Sequence, residues 1–382
     1  MVQSKLTNKF TWQRAVIKVG SALVSPQGNG CSAEYLTAIV EFIMSSIAQG
    51  KEVILVSSGS IAAARNSIKT GHKATIAEKQ AMAAIGQTKM MANWAALFNA
   101  NTHGKNSPIE CAQILVTVED LADRKRFINV KNTIEQLLSN YAIPIINEND
   151  TVAVEEIKVG DNDNLAAHAA IAVQADCLII CTDVDGLFTA NPRIAKDAKL
   201  IQQVSKIDEN TMALAGGAGS SVGTGGMITK LQAAQKCTQS GIQTLLVNGT
   251  TANSFEDLAN GICSGTLFLP ATTRQRAKQD WLTHTSKVKG RLQIDSGAAS
   301  ALTKTGASLL AAGVTKIEGL FAAGHSVEIW HNERLCGKGL VNYSSTELDR
   351  ILGCKSHQIE QILGYSASEA VVHRDNLVIV NR

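Results

Sequence analysis

The sequence predicts an α/β fold, a mostly parallel sheet sandwiched by helices, followed by a small β-rich domain. Three observations carry that expectation. From about residue 14 to 270, short apolar runs alternate with helical patterns. The runs are apolar almost throughout rather than every second residue, as strands covered on both faces require. After about residue 270 the texture changes to short strands separated by glycine turns.

In chain order, "AVIKVGS" reads as the first strand and its turn, and Ser32 as the cap of a helix "AEYLTAIVEFIMSSIAQ" that stops at Gly50. "EVILVSSGS" is a second strand entering a small-residue turn and the helix "IAAAR". Thr75 and Glu78 have capping-box spacing ahead of a long helix through "MMANWAALFNA". "CAQILVT", "IPIIN", "CLIICTD" and "IQTLLVN" read as further strands, with helices over "NLAAHAAIAV" and "GMITKLQAAQKCTQS". The polar "ATTRQRAKQDWLTHTSKVKG" reads as a connector, with the α/β part before it over 1–270, the connector over 271–288 and the β-rich part, with one small helix, over 289–382.

At 382 residues the chain suits two domains, and 45% hydrophobic with 18% charged residues is an ordinary globular balance. Only five prolines argue against Pro-rich linkers. Eight scattered cysteines without a C-x-x-C, two of them bracketing the apolar "CLIIC", indicate thiols in a reducing compartment rather than a metal site. The first residues carry lysines but no apolar core of a signal peptide, and no stretch is long and apolar enough to span a membrane. A cytoplasmic protein is expected.

In a parallel sheet, ligands sit beyond the carboxyl ends of the strands, and "KVGS", "SSGS", "NEND" and "TDVDG" all fall there. No P-loop and no complete G-x-G-x-x-G is present. In "GGAGSSVGTGGMITK", Gly223, Gly225 and Gly226 could bring backbone N–H groups to an anion at a helix N-terminus. Lys230 in that first turn is unwelcome to the helix dipole unless an anion compensates it. Lys18, inside an apolar strand, either snorkels to an edge or enters the strand-end cleft. Lys18, Lys230 and the glycine amides together would clamp a polyphosphate, and the acid-rich "GDND" would seat Mg²⁺ or orient the lysines. No His or Cys cluster has metal-ligand spacing, and no general base stands out. A carboxylate acceptor, ionised at neutral pH, needs none.

"VIKVGSALV", "VSSGSIAAAR", "INENDTVAVEEIKVGDNDNLAAHAA", "CTDVDGLFTANPR" and "GTGGMITKLQAA" closely resemble the glutamate 5-kinases of the amino acid kinase family. The C-terminal part resembles the PUA domain that many bacterial members carry. The resemblance implies the amino acid kinase fold and ATP-dependent phosphorylation of the γ-carboxylate of L-glutamate, the first step of proline biosynthesis. It implies that Lys18 and Lys230 neutralise charge on the transferring phosphoryl group, with Asp163 orienting them or joining the Mg²⁺ shell. Ser58, Gly59, Asp150 and Asn162 would hold glutamate, Asp150 meeting its ammonium, and Asn164 or a neighbour would start the following helix. Lys18, Thr182, Asp183 and the run Thr224, Gly225, Gly226, Met227, Ile228, Thr229 and Lys230 would bind ATP. Mg²⁺ would arrive mainly on the ATP phosphates. A homo-oligomer, dimer or tetramer, is implied as well.

The product is a labile acyl phosphate, so a closing loop over "GGAGSSVG" or handover to a glutamyl phosphate reductase is expected. Two rivals stand beside this reading: a related kinase for another carboxylate such as acetylglutamate or aspartate, and an RNA-binding protein. Residues 280 to 382 hold eleven Lys and Arg against ten Asp and Glu, which gives no basic face for nucleic acid.

Overall fold

A computed structural model describes residues 9–68, 72–101, 109–153, 162–215, 226–273, 276–277 and 287–380. The chain divides into two compact units, one ending at Thr273 and the other starting at Arg274, with Asp123–Asn129 grouped with the second.

The first unit is built on an eight-stranded sheet ordered β3-β4-β2-β1-β5-β7-β8-β6. The strands are β1 (Arg14–Val19), β2 (Glu52–Ser57), β3 (Cys111–Val116), β4 (Ile143–Glu148), β5 (Cys177–Thr182), β6 (Gln203–Val204), β7 (Gln243–Asn248) and β8 (Thr266–Phe268). From β3 to β7 all neighbours run parallel, whereas β8 returns antiparallel to β7 and carries β6 parallel to itself. The six apolar runs read from the sequence are the six parallel strands. β6 and β8, two and three residues long, are too short for a periodic signal.

Six helices of eight or more residues are labelled here: α1 (Leu36–Ala48), α2 (Ile76–Ala100), α3 (Arg124–Ser139), α4 (Asn162–Ala172), α5 (Met227–Gln239) and α6 (Ala252–Ala259). Thr75 and Glu78 form the expected capping box at α2, each side chain bonded to the other's backbone N–H. Ser32 is not the cap of α1: its hydroxyl accepts from the Glu34 N–H at 3.1 Å, and a turn intervenes before the helix starts at Leu36. A local Ser turn competes with capping for the same N–H groups.

Strand periodicity distributes the residues between two cores. Ala15, Ile17 and Val19 of β1 pack with α1, α2 and α6, while Val16 packs with α4 and α5 on the other face. Lys18 shares the parity of Val16, so its side chain leaves the sheet on the α4–α5 face. β1 lies between β2, to which the chain first crosses, and β5, which it reaches later on the other side. That reversal opens a crevice at the carboxyl ends of β1 and β5.

The second unit holds β9 (Val288–Ile294), β10 (Leu309–Leu310), β11 (Val314–Glu318), β12 (Ser326–His331), β13 (Arg334–Leu340), β14 (Ala370–Val372) and β15 (Leu377–Ile379). Five of them form a sheet ordered β11-β9-β12-β13-β15, and β10 pairs with β14. Its core includes Leu292, Val327, Ile329, Tyr343 and Ile351. The expected single small helix is corrected to three short ones, Ser296–Ser300, Ser345–Arg350 and Ile359–Leu363. At five or six residues each, they are below the length at which helical periodicity shows.

All eight cysteines are free thiols, and Cys177 and Cys181 are buried in β5. Among the described residues no helix is long and apolar enough to cross a membrane.

Candidate active site

The strand-end crevice has two halves, and Asp163 organises the first. The helix already runs at Asn162, so Asn162 and Asp163 lie in its first turn and Asn164 is not its start. Asp163 is fully buried at the positive end of α4. Lys18 Nζ lies 2.6 Å from its Oδ1 as an ion pair. Lys230 Nζ donates to Oδ2 at 3.1 Å, and Thr229 Oγ1 donates to the same oxygen at 2.7 Å. Lys18 and Lys230, 212 positions apart, therefore meet on one carboxylate.

The electrostatics follow from this triad. Burial pushes the Asp163 carboxyl up, but Lys18, Lys230 and the Thr229 hydroxyl outweigh it and hold it well below the usual carboxylate range. Burial pulls the Lys230 ammonium down, and the Lys18 charge adds to that, while Asp163 and Asp183 oppose it. Lys18 and Lys230 thus bring two cations to the Asp163 carboxylate, with Asp183 acting on Lys230 as well, and ammonium groups so placed suit an anionic ligand.

Gly226 caps α5 without a side-chain bond, so the first amides of that helix are free of a side-chain partner at the cap. Met227 is half-buried, Ile228 is exposed, and Thr229 and Lys230 are buried. Thr182 ends β5 beside Gly20, and its hydroxyl donates to Asp183 Oδ1 at 3.2 Å. Gly160, Asp161, Gly223, Thr224, Gly225 and the whole of "GGAGSSVG" lie outside the described residues.

The second half is assembled around the β2 turn. Gly59 takes φ 108°, a left-handed conformation that a side chain would resist, and it turns Ser58 and Ser60 toward different partners. Asn162 Nδ2 donates to Ser58 Oγ at 2.8 Å and to Asn147 Oδ1 at 2.9 Å. Ser60 Oγ donates to Asp150 Oδ2 at 3.0 Å. Burial raises the Asp150 carboxyl to about 6, with the Ser60 bond opposing. Asp150 Oδ1 and Asn162 Oδ1 are both buried and have no hydrogen-bond partner. Two unsatisfied buried acceptors, one of them ionisable, define a place for a donor from outside the chain.

Of the residues singled out from sequence, the structure brings Lys18, Lys230, Asp163 and Thr229 together, and Ser58, Asn162 and, through Ser60, Asp150. Sequence reasoning took in Ser60 and Asn147 only as members of the polar runs "SSGS" and "NEND", and assigned no role to Gln87 or Gly86. A Cβ at Gly86 of α2 would lie 1.7 Å from the Ser60 carbonyl oxygen, so only glycine lets α2 close on the β2 turn. A lone glycine inside a helical pattern was the available signal for that approach. His168 of α4 has Lys236 Nζ at 3.4 Å from its Nε2.

Among the described residues no group of three or more His, Cys, Asp or Glu side chains could hold a metal ion. Asp163 has Lys18 on one oxygen and Lys230 with Thr229 on the other. That is the placement of a carboxylate that orients two lysines.

Comparison with known proteins follows this geometry. The model of the amino acid kinase family matches residues 13–248, and that of the PUA domain matches residues 290–363. The chain is 46% identical over 375 residues to a glutamate 5-kinase of Salinibacter ruber, covering 96% of this chain and 97% of that protein. It is 44% identical over 373 residues to one of Idiomarina loihiensis, covering 97% and 98%. A third, from a Thermoanaerobacter species, is 45% identical over 371 residues with the same coverage.

Proposed function

This chain belongs to the amino acid kinase family and, within it, to the glutamate 5-kinases, and we propose that it transfers the γ-phosphoryl group of ATP to the γ-carboxylate of L-glutamate. The product is L-glutamyl 5-phosphate, the first intermediate on the way to proline. The observation that supports this reading most is the pairing of Lys18 and Lys230 on Asp163. It offers two ammonium groups to an anion, on the same sheet ends as the unpartnered oxygens of Asp150 and Asn162.

The chemistry suits those residues. A carboxylate oxygen attacks the γ-phosphorus while the bond to the bridging oxygen breaks and ADP departs with the electron pair. The acceptor is ionised at neutral pH, with an ordinary pKa of about 4.3, so no base has to remove a proton. The obstacle is repulsion between a carboxylate and a triphosphate. Lys18 and Lys230 offset it, and because Asp163 holds both in place beforehand, little reorganisation is needed when charge moves. Thr182, Asp183 and the segment from Thr224 to Lys230 bind the nucleotide in this reading. Ser58, Gly59, Asp150 and Asn162 hold glutamate, with Asp150 on its ammonium. Mg²⁺ enters as the ATP complex rather than on a protein cage.

The same reading takes residues 1–270 as catalytic, 271–288 as a connector and 289–382 as an accessory domain. It takes the protein as a cytoplasmic homo-oligomer that passes its labile product to a reductase. Hydroxylamine trapping of the acyl phosphate, with ATP, Mg²⁺ and a panel of glutamate, aspartate and N-acetylglutamate, tests the reaction. Hydroxamate formed fastest from glutamate is expected. None from glutamate, or equal rates from N-acetylglutamate, would overturn the assignment.

A further inference from the structure

Gln87 has no part in the reaction as derived, yet it is buried in the middle of α2 and bonded to a residue of the site. Four side-chain amides from four elements run in one line. Asn162 of α4 donates to Asn147 of β4 at 2.9 Å, Asn147 donates to Gln87 at 2.8 Å, and Gln87 donates to Gln113 of β3 at 3.3 Å. Every amide gives its N–H to the oxygen of the next, so turning over the first alone would set N–H against N–H or oxygen against oxygen in the line behind it. Asn162 spends its second N–H on Ser58. Both its protons are committed, and only its buried, unpartnered Oδ1 is left for a ligand.

A primary amide has two opposite faces of nearly the same shape. Turned over, Asn162 would present N–H donors where it now presents an oxygen, and an ammonium ion would be repelled. The hydrogen-bond line opposes that turn, because Asn162 cannot make it alone without losing its bond to Asn147. Asp150 Oδ1 is likewise buried without a hydrogen-bond partner, and a cation with several N–H groups, as an ammonium has, suits acceptors of this kind.

We propose that Gln87 is a positioning residue: through Asn147 it holds the Asn162 amide with its oxygen free, and so makes the site select acceptors that carry a free ammonium. The inference rests on the proposed glutamate kinase activity and deepens it. A substrate lacking that ammonium, such as glutarate, gains nothing from the line, and an N-acylated one offers a single uncharged N–H.

The test compares glutamate with glutarate as acceptors in wild type, Gln87→Met, Gln87→Glu and Gln113→Met. Methionine keeps the length of the side chain and removes both ends of the relay; glutamate keeps the oxygen that Asn147 needs. In Gln87→Met the KM for L-glutamate should rise roughly tenfold, the scale of one weakened hydrogen bond to a charged group. Its kcat and its KM for ATP should stay within about twofold, a split that general loosening of the fold would not give. Turnover of glutarate, weak throughout, should not change, and Gln87→Glu should restore most of the glutamate affinity. Gln113→Met, on an exposed position of β3, should show the same signature more weakly even if Gln87→Met folds poorly. Equal losses on glutamate and glutarate, or no difference between Gln87→Met and Gln87→Glu, would overturn the positioning role. Wild type without glutamate kinase activity would instead remove the underlying function.

Discussion

Asp163 and Asp150 are both buried carboxylates at the ends of the same sheet, and they are finished differently. Asp163 meets two ammonium groups and a hydroxyl supplied by the chain, and is held well below the ordinary carboxylate range. Asp150 meets one serine hydroxyl, leaves an oxygen unpartnered, and is raised by burial to about 6. A chain that can place two lysines on one carboxylate could have placed one on the other. The contrast separates a carboxylate that belongs to the fold from one that waits for a cation to arrive. The Asp163 half, with two ammonium groups gathered on it, suits an anion; the Asp150 half, with an acceptor left open, suits an ammonium. Glutamate beside ATP needs both.

The largest effect should come from the finished half. Asp163→Ala would take from Lys18 and Lys230 the carboxylate on which both are paired, and breaking a buried ionic cluster in this way costs about 3–5 kcal/mol. The urea midpoint of the catalytic unit should fall accordingly. Because the Asp163 carboxyl is depressed in the folded state, its stabilising share is present above the ordinary carboxylate pKa and fades as pH drops below it. The gap between wild type and Asp163→Ala should therefore narrow in acid. A variant as stable as wild type at neutral pH would show that the cluster is not what the comparison takes it to be.

Next in size are Lys18→Met and Lys230→Met, which keep stem volume and remove charge. Each should lower kcat by about 10²–10³, or roughly 2.7–4 kcal/mol of transition-state stabilisation, as losing a preorganised donor does elsewhere. Steady-state kinetics should show the loss in kcat more than in the KM for glutamate. A loss carried by glutamate KM alone would move these lysines from the phosphate half to the amino acid half.

How far this was legible from the sequence depends on whether a residue's type conflicts with its local pattern. Lys18 interrupts an apolar strand, and strand parity then sends it to one face. Asp163 sits in a surplus of Asp and Asn ahead of alanines, more than one helix cap uses. Both conflicts are visible in one dimension. Gln87 and Gln113 conflict with nothing: a glutamine in a helix or at a strand position is ordinary, and only the packing of α2 across β4 and β3 turns them into a relay. Asn147 fell within a recognised polar run, yet its partners come from α2 and α4, 60 and 15 positions away. The difference between Asp163 and Asp150 was likewise hidden, because a carboxylate's state is set by what surrounds it and not by its own motif. The parallel strands were readable through their continuous apolar character; β6, β8 and the short helices of the second unit were too brief to carry any period.

The smallest of the three effects, and the one most specific to the comparison, concerns Asp150→Asn. A rise of the Asp150 carboxyl from 3.8 to about 6 means that keeping it ionised in the folded protein costs on the order of 3 kcal/mol at neutral pH. Asparagine keeps the shape and removes the charge, while the Ser60 bond it weakens is worth about 1 kcal/mol. The ligand-free variant should therefore be more stable than wild type by about 2 kcal/mol in melts near pH 8. The sign follows from linkage: a carboxyl raised on folding favours the folded state below its unfolded pKa and loses that share as pH climbs through about 6. The advantage of Asp150→Asn should then shrink toward zero below about pH 4. Saturating L-glutamate should reverse the order, because its ammonium satisfies the carboxylate in wild type and has only a neutral amide to meet in the variant. For the same reason kcat/KM for glutamate in wild type should decline by about tenfold per pH unit below about 6, where Asp150 is protonated before substrate arrives. A variant less stable than wild type at every pH, with or without glutamate, would place Asp150 among the finished carboxylates beside Asp163 and dissolve the distinction between the two halves.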